Sequence, residues 1–293
     1  MPELPEVETI ARGVDARVRG DRIVDVWFGS HREPFKTPAA KQAKGLDGRS
    51  VVGVERIGKH IVMGLGGADD KAAAGKGREA PSAEWVIHLG MTGRLLVTTP
   101  DAPVAPHTHA RLTLASGREL RFVDPRRFGR LEFRDLERKS GERGGGSRNG
   151  GFSAPGAEPL RIEQEEFAAL FRGRKLAIKA ALLNQKLLSG VGNIYADESL
   201  FRAGIRPRRQ AGRLSRPELE RLRMALVEVL EHAIKLGGSS VSDYVDANGV
   251  RGFFQLEHRV YQRTGESCLV CGMPIRRIVV GGRSTHYCPN CQR

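Results

Sequence analysis

No stretch of about 18 apolar residues occurs in the 293-residue chain, so nothing in it reads as a membrane-spanning helix. The N-terminus also lacks the basic patch and apolar core of a secretory leader. Met1-Pro2-Glu3-Leu4-Pro5-Glu6 is acidic and Pro-rich instead, and the expected location is the cytoplasm. Cysteine is missing until residue 268, and all four fall in the last 26 residues. In a reducing compartment that argues for metal rather than disulfides. Acidic residues are short as well: 34 Asp and Glu against 48 Lys and Arg leave a formal charge of +14 and a pI near 10.1. Such a balance favours a polyanionic partner. Because the basic residues are spread through folded-looking segments, with no apolar anchor beside them, nucleic acid is the expected partner and a membrane is not. The length allows one large or two medium domains.

The opening stretch carries chemistry of its own. Removal of Met1, usual before a small residue, exposes the secondary amine of Pro2. An α-amino group has a pKa of roughly 8 against roughly 10.4 for Lys, so about one molecule in ten is in the attacking neutral form at pH 7. Such an amine attacks an aldehyde-level carbon to give an iminium, which then acts as an electron sink. Glu3 adjoins it covalently and Glu6 lies one helical turn on, both candidate proton-transfer groups. The simpler reading has Pro5 opening a helix, with Glu6 and Glu8 at its positive end and Val7, Ile10, Ala11, Val14 and Val18 on one face. Both readings can hold together.

Further on, Ile23 to Phe28 and Val51 to Ile57 are β-branched and apolar on both faces, as in strands inside a sandwich or barrel. Lys59 and His60 precede another apolar strand, Ile61 to Leu65. Residues 66–83 have the composition of a surface insertion. Trp85 to Leu89 is a strand broken by Gly90-Met91-Thr92-Gly93, where Met91 is either core or an apolar tip. His107 and His109 lead into a hairpin, Ala110 to Leu114 and Glu119 to Val123. As a metal pair the two histidines lack a third ligand nearby. Asp124-Pro125-Arg126-Arg127-Phe128-Gly129 is either an ordinary turn with Phe128 folded inward, or a wedge that enters a base stack while Arg126 fills the space of an extruded nucleotide.

Gly144 to Gly146 and Gly150-Gly151 mark a linker over 139–159, separating a domain at 1–138 from one at 160–256. Beyond it the apolar period changes from two to 3.6, predicting helices over 163–171, 176–188 and 215–236, the last opened by a Ser215-x-x-Glu218 capping box. Gly190-Val191-Gly192-Asn193, just before a helix, is either an interhelical turn or a set of free N–H groups suited to phosphate. The polar loop around Tyr244, bracketed by Gly237-Gly238 and Asn248-Gly249, either closes over a ligand or only connects. Residues 257–293 hold Cys268-x2-Cys271 and Cys288-x2-Cys291 with 16 residues between, the pattern of a four-thiolate zinc ribbon whose closed site is structural. Arg276, Arg277 and Arg283 lie on its hairpin, where they can reach phosphates.

These motifs together closely resemble the bacterial formamidopyrimidine-DNA glycosylase family, bifunctional glycosylases and AP lyases for oxidised purines. The likeness runs nearly end to end, through residues 1–9, His-Leu-Gly-Met at 88–91, Asp-Pro-Arg-Arg-Phe-Gly at 124–129, Gly-Val-Gly-Asn-Ile-Tyr-Ala-Asp-Glu at 190–198, and the ribbon. It implies an α+β architecture: an N-terminal β-sandwich with an N-terminal helix, a helix-two-turn-helix domain and a four-cysteine zinc ribbon, a monomer with one structural zinc, holding damaged duplex DNA. By position it implies Pro2 as Schiff-base nucleophile, Glu3 as general acid, Lys59 as proton donor for β-elimination and Arg283 for δ-elimination. Met91, Arg126 and Phe128 would fill the void of the everted nucleotide, His107, Arg126, Lys175 and Asn193 would contact DNA, and the 239–244 loop with Tyr244 would cover the base. Ser242-Asp243 departs from the basic or Thr residue frequent there, and the 66–83 insertion is longer than the pattern. The rival readings are an endonuclease VIII-like enzyme for oxidised pyrimidines and a zinc-ribbon DNA-binding protein without chemistry.

Overall fold

A computed structural model describes residues 1–30, 34–67, 80–136, 150–240 and 245–293. They form two compact units. The first comprises Met1–Pro2, Glu6–Ser153 and Ser240–Gly252; the second comprises Glu3–Pro5, Ala154–Ser239 and Phe253–Arg293.

The first unit is a β-sandwich. One sheet runs in the order β1 (Ile23–Phe28), β6 (Thr108–Leu114), β7 (Glu119–Val123), β5 (Arg94–Thr98), the other β2 (Val51–Ile57), β3 (His60–Leu65), β4 (Ala83–His88), β8 (Arg130–Asp135), with antiparallel neighbours throughout. Alternation puts Ile61, Met63, Trp85, Ile87 and Leu131 of one sheet and Leu95, Leu112, Leu120 and Phe122 of the other into a single core. Helix α1 (Leu4–Val18) adds Val7, Ile10, Ala11, Val14 and Val18, the apolar stripe expected from their spacing. Each of the Val and Ile side chains, fully buried, contributes about 1.5–3 kcal/mol. The helix is tied to β2 by Glu8, which accepts from Arg56 Nε at 2.7 Å, and by Asp15, whose Oδ1 accepts from the Val54 amide at 2.7 Å. Helix α2 (Ala39–Leu46) supplies Gln42, whose Oε1 satisfies the buried Trp85 indole N–H at 2.9 Å.

Strand β1 differs from the sequence expectation. It is a sheet edge, with Val24 44 % exposed, so only one of its apolar faces is covered. Strands β5 and β8 and helix α2 carry no signal strong enough to stand out. In β8 the alternation of Leu131 and Phe133 is obscured by Arg130, Glu132, Arg134 and Asp135 around them.

The second unit packs α3 (Gln164–Phe171), α4 (Ile178–Leu182), α5 (Asn193–Arg202) and α6 (Arg216–Lys235) around one apolar core, and adds a hairpin, β9 (Arg276–Val280) and β10 (Arg283–Tyr287). The helix expected over 176–188 stops at Leu182. Asn184 diverts the chain: its Oδ1 accepts from the Lys186 amide at 3.0 Å, and its carbonyl takes the amides of Leu187 and Leu188. Gln185 then bridges the turns, donating to the carbonyls of Leu183 (3.0 Å) and Val191 (2.8 Å) and accepting from the Gly190 amide (2.9 Å). Two helices joined by two turns result. No helix among the described residues is long and apolar enough to cross a membrane.

At the start of α6 the Glu218 carboxylate accepts from the Ser215 amide (2.8 Å) and hydroxyl (2.9 Å) and from the Arg209 guanidinium. The Arg209 hydrogen bond is the main reason its pKa falls to about 2. A folded pKa below the unfolded value gives stability that is present above about 4.5 and lost as pH falls toward 2. Glu218→Gln should therefore cost about 1 kcal/mol at neutral pH, and urea titrations should show the gap to the parent closing as the pH is lowered through this window.

Candidate active site and nucleic-acid interface

In the second unit the chain's third residue meets the start of α5. Glu3 is buried, and its Oε1 accepts from the Ile194 amide in the first turn of that helix at 3.3 Å. The Leu4 amide donates to the Gly190 carbonyl at 3.0 Å. Gly192 is the cap residue, and a Cβ there would stand 2.1 Å from the Glu3 carboxyl carbon, so any other residue would push that carboxylate from its place. At this helix start the Ile194 amide holds a carboxylate of the same chain, while the Gly190 amide donates to Gln185 Oε1. A negative group at a helix N-terminus is favoured by the dipole and by otherwise unsatisfied donors.

Around this contact lies a buried polar cluster. The Lys179 ammonium on α4 and the Asp197 carboxylate on α5 are both fully buried and 2.7 Å apart. Lys179 also donates to the Ser284 carbonyl (2.7 Å) and Thr285 Oγ1 (2.9 Å), while Asp197 accepts from the His286 amide (2.9 Å). Asn193 donates to the same Ser284 carbonyl at 2.9 Å. Burial lowers the Lys179 pKa; the charges of Asp197 and Glu3 oppose the shift and that of Arg283 reinforces it. Lys179 is thus within electrostatic reach of both Glu3 and Arg283. Arg283 itself is exposed and begins β10 directly after the two-residue turn Gly281-Gly282, both at positive φ. Neighbouring Glu198, whose pKa burial raises, accepts from the amides of Arg259, Val260 and Tyr261 at 2.8–3.0 Å and so fixes the lead into the ribbon.

The first unit carries a different set. Lys59 sits in the two-residue turn between β2 and β3, buried, after Gly58 at φ 61°. His88, at the end of β4, accepts from the Gly90 amide on Nδ1 at 3.1 Å, and burial, chiefly, lowers its pKa to about 4, leaving the ring neutral and able to accept. The turn that follows presents Met91, 42 % exposed, and the 124–129 turn presents Phe128, 50 % exposed. These turns touch: a Cβ on Gly90 would meet the Phe128 carbonyl carbon at 2.5 Å. Asp124 joins them by accepting from the Thr92 hydroxyl (2.6 Å) and from the amides of Arg126 (3.3 Å) and Gly129 (2.8 Å). The Arg126 guanidinium lies 4.7 Å from the Phe128 ring centroid. Phe128 is therefore not folded inward, and the three residues read as a wedge share one surface.

His107 is exposed at φ 64°, while His109 is buried with Nε2 3.0 Å from the Asp124 carbonyl oxygen, so the two make no metal pair. Lys175 is exposed just ahead of α4. Tyr244 lies outside the described residues, as do Ser242 and Asp243. Lys179, Asp197 and Asp124 escaped the sequence reading. Two adjacent acids inside the otherwise apolar stretch Ile194-Tyr195-Ala196-Asp197-Glu198 were the one available hint.

Cys268, Cys271, Cys288 and Cys291 bring their sulfurs within 4.8 Å of one another, with Cys268–Cys291 at 3.9 Å and Cys271–Cys288 at 3.4 Å. A tetrahedral ion with bonds of about 2.3 Å needs sulfurs about 3.8 Å apart, so the donor set fits zinc. The Met273 amide is the main influence that brings the Cys271 thiol down to about 6, whereas burial pushes the Cys288 and Cys291 thiols up.

Family models match in chain order: the formamidopyrimidine-DNA glycosylase N-terminal domain at residues 1–131, its H2TH domain at 155–245, and a zinc finger found in FPG and IleRS at 265–293. Formamidopyrimidine-DNA glycosylases of Solibacter usitatus and Burkholderia thailandensis are each 44 % identical, with both chains covered in full. Among solved structures, a Lactococcus lactis FPG variant in complex with Fapy-dG-containing DNA aligns with a TM-score of 0.83 at 33 % identity, covering 100 % of both chains. The MutM (FPG) protein of Thermus thermophilus aligns at 0.79 and 38 %, covering 99 % of this chain and 98 % of that one. With its fold, its ribbon and its whole length matched, the chain belongs to the formamidopyrimidine-DNA glycosylase family.

Proposed function

We propose that the protein is a bifunctional DNA glycosylase and AP lyase of base-excision repair that removes oxidised purines from duplex DNA. The observation that supports this reading most is the Glu3 carboxylate seated on the first turn of α5, next in the chain to the Pro2 amine. An amine that must attack one carbon needs a fixed neighbour to handle protons.

In this mechanism the target nucleotide is everted, which costs least for a damaged base. Pro2 nitrogen bonds to C1′ as the C1′–N9 bond breaks and the base leaves with a proton. Glu3 protonates O4′ as the sugar ring opens, which yields an iminium. Loss of the C2′ proton then expels the 3′ phosphate, protonated by Lys59. Loss of the C4′ proton expels the 5′ phosphate, protonated by Arg283, and water on C1′ frees Pro2. Met91, Arg126 and Phe128 occupy the space of the everted nucleotide, His107, Lys175 and Asn193 hold the backbone, and the loop to Tyr244 covers the base. One structural zinc holds the four cysteines, and the enzyme acts as a cytoplasmic monomer.

Borohydride added to the enzyme on an 8-oxoguanine duplex should give a covalent adduct, and peptide mapping should put the added mass on Pro2. A thymine-glycol duplex should trap at least about ten-fold more slowly. An adduct on a lysine would overturn the nucleophile assignment, and faster trapping on thymine glycol would favour the oxidised-pyrimidine reading. Lys175→Ala should weaken DNA binding alike on damaged and intact duplex and lower the salt slope of log K by about 1; an unchanged slope removes Lys175 from the phosphate contacts. Elemental analysis should find one zinc per chain, with chelation abolishing strand cleavage as the hairpin melts.

A further inference from the structure

Arg283 poses a positioning problem. It follows two glycines at φ 57° and 74°, projects into solvent, and sits on a two-stranded hairpin, an element of marginal stability by itself. The residues after it are held tightly. Ser284 gives its carbonyl to Lys179 Nζ and Asn193 Nδ2, Thr285 gives its hydroxyl oxygen to Lys179, and His286 gives its amide to Asp197. Three successive residues are thus fastened to α4 and α5 by two oppositely charged side chains with no solvent exposure. A buried ion pair adds little net stability, because desolvation offsets the attraction, and an apolar pair of similar volume often serves the fold as well. What an apolar pair cannot do is direct hydrogen bonds at Ser284, Thr285 and His286.

We infer that Lys179 and Asp197 are positioning residues for Arg283, fixing the start of β10 so that its guanidinium reaches the leaving phosphate of the second elimination. The inference rests on the role given to Arg283 above. Neither residue touches the DNA in this role; both act through β10.

The test is a single-turnover reaction on a duplex with an abasic site, comparing products that end in 3′ phosphate (δ) with those ending in the unsaturated aldehyde (β). Borohydride trapping is measured in parallel. Lys179→Met with Asp197→Leu removes both charges and keeps the bulk. It should lower the δ-to-β ratio about ten-fold while trapping stays within about two-fold of the parent. Thr285→Val, which removes one contact, should lower the ratio less, and it decides the matter if the double variant does not fold. Arg283→Ala is run beside them. If it lowers the ratio and the other variants do not, the positioning inference fails alone. If all ratios equal the parent's, the role of Arg283 fails with it. Loss of trapping in a folded double variant would place the pair with Glu3 and Pro2, and would equally overturn the inference.

Discussion

Everything distinctive about this chain depends on one carboxylate reaching one helix end. Glu3 accepts the Ile194 amide, and the third residue of a polypeptide, ordinarily free to fray, becomes part of a packed interior. Leu4 completes the attachment through its backbone bond to Gly190 and its place in the helical core. Two sequence features answer to this contact. Gly192 leaves room for the carboxyl group, which occupies the space of its Cβ and would be displaced by a side chain there. Gly190, at φ 88°, turns the chain so that its carbonyl meets Leu4. Pro2 is bonded to a residue whose side chain is fixed on α5 and whose successor is fixed through its backbone, as the nucleophile proposed for this position would need.

Both units bury polar groups beside an apolar core. In the first, alternating strands and an amphipathic helix bury aliphatic and aromatic groups, Gln42 meets the Trp85 indole and the carbonyls of Thr37 and Leu131, and Arg121 pairs with Glu119. In the second, Lys179, Asp197, Glu198, Asn193 and Glu3 are all buried near the α5 helix. Three backbone amides meet Glu198 and one meets Asp197, so the cost of dehydrating these charges is set against geometry that apolar packing would not impose. That cost falls at the turns and hairpin that carry Glu3, Asn193 and Arg283.

Much of this was legible in the residues, for reasons that differ by element. The stripe of α1, the capping box of α6 and the cysteine spacing are local patterns, and each appears where spacing puts it. The convergence of Met91 with Phe128 was not readable, because it comes from two turns brought together across sheets by Asp124. The excess helix drawn over 176–188 shows a second limit: the apolar period continues through Leu187 and Leu188, and only side-chain hydrogen bonds from Asn184 and Gln185 break it. A third concerns the identity of a ligand. The glycine-rich turn at 190–193 has the marks of an anion site, but nothing in the order of residues says that the anion is Glu3.

Exposed apolar tips ordinarily burden a soluble protein, and the treatment of Met91 and Phe128 shows how the burden is contained. Their turns are rigid, with Thr92, Arg126 and Gly129 all bonded to one aspartate, and Gly90 packs against backbone at a distance that admits no Cβ. The Arg126 guanidinium over the Phe128 ring covers part of that surface with a group that is itself cationic, and a cation–π contact at such an exposed site is worth about 0.5–1 kcal/mol. Turns tied in this way leave little backbone freedom to be lost on binding, which would suit the wedge role proposed for Met91 and Phe128. The cation of Arg126 and the ring of Phe128 stand on the same turn, so the two proposed roles share one support.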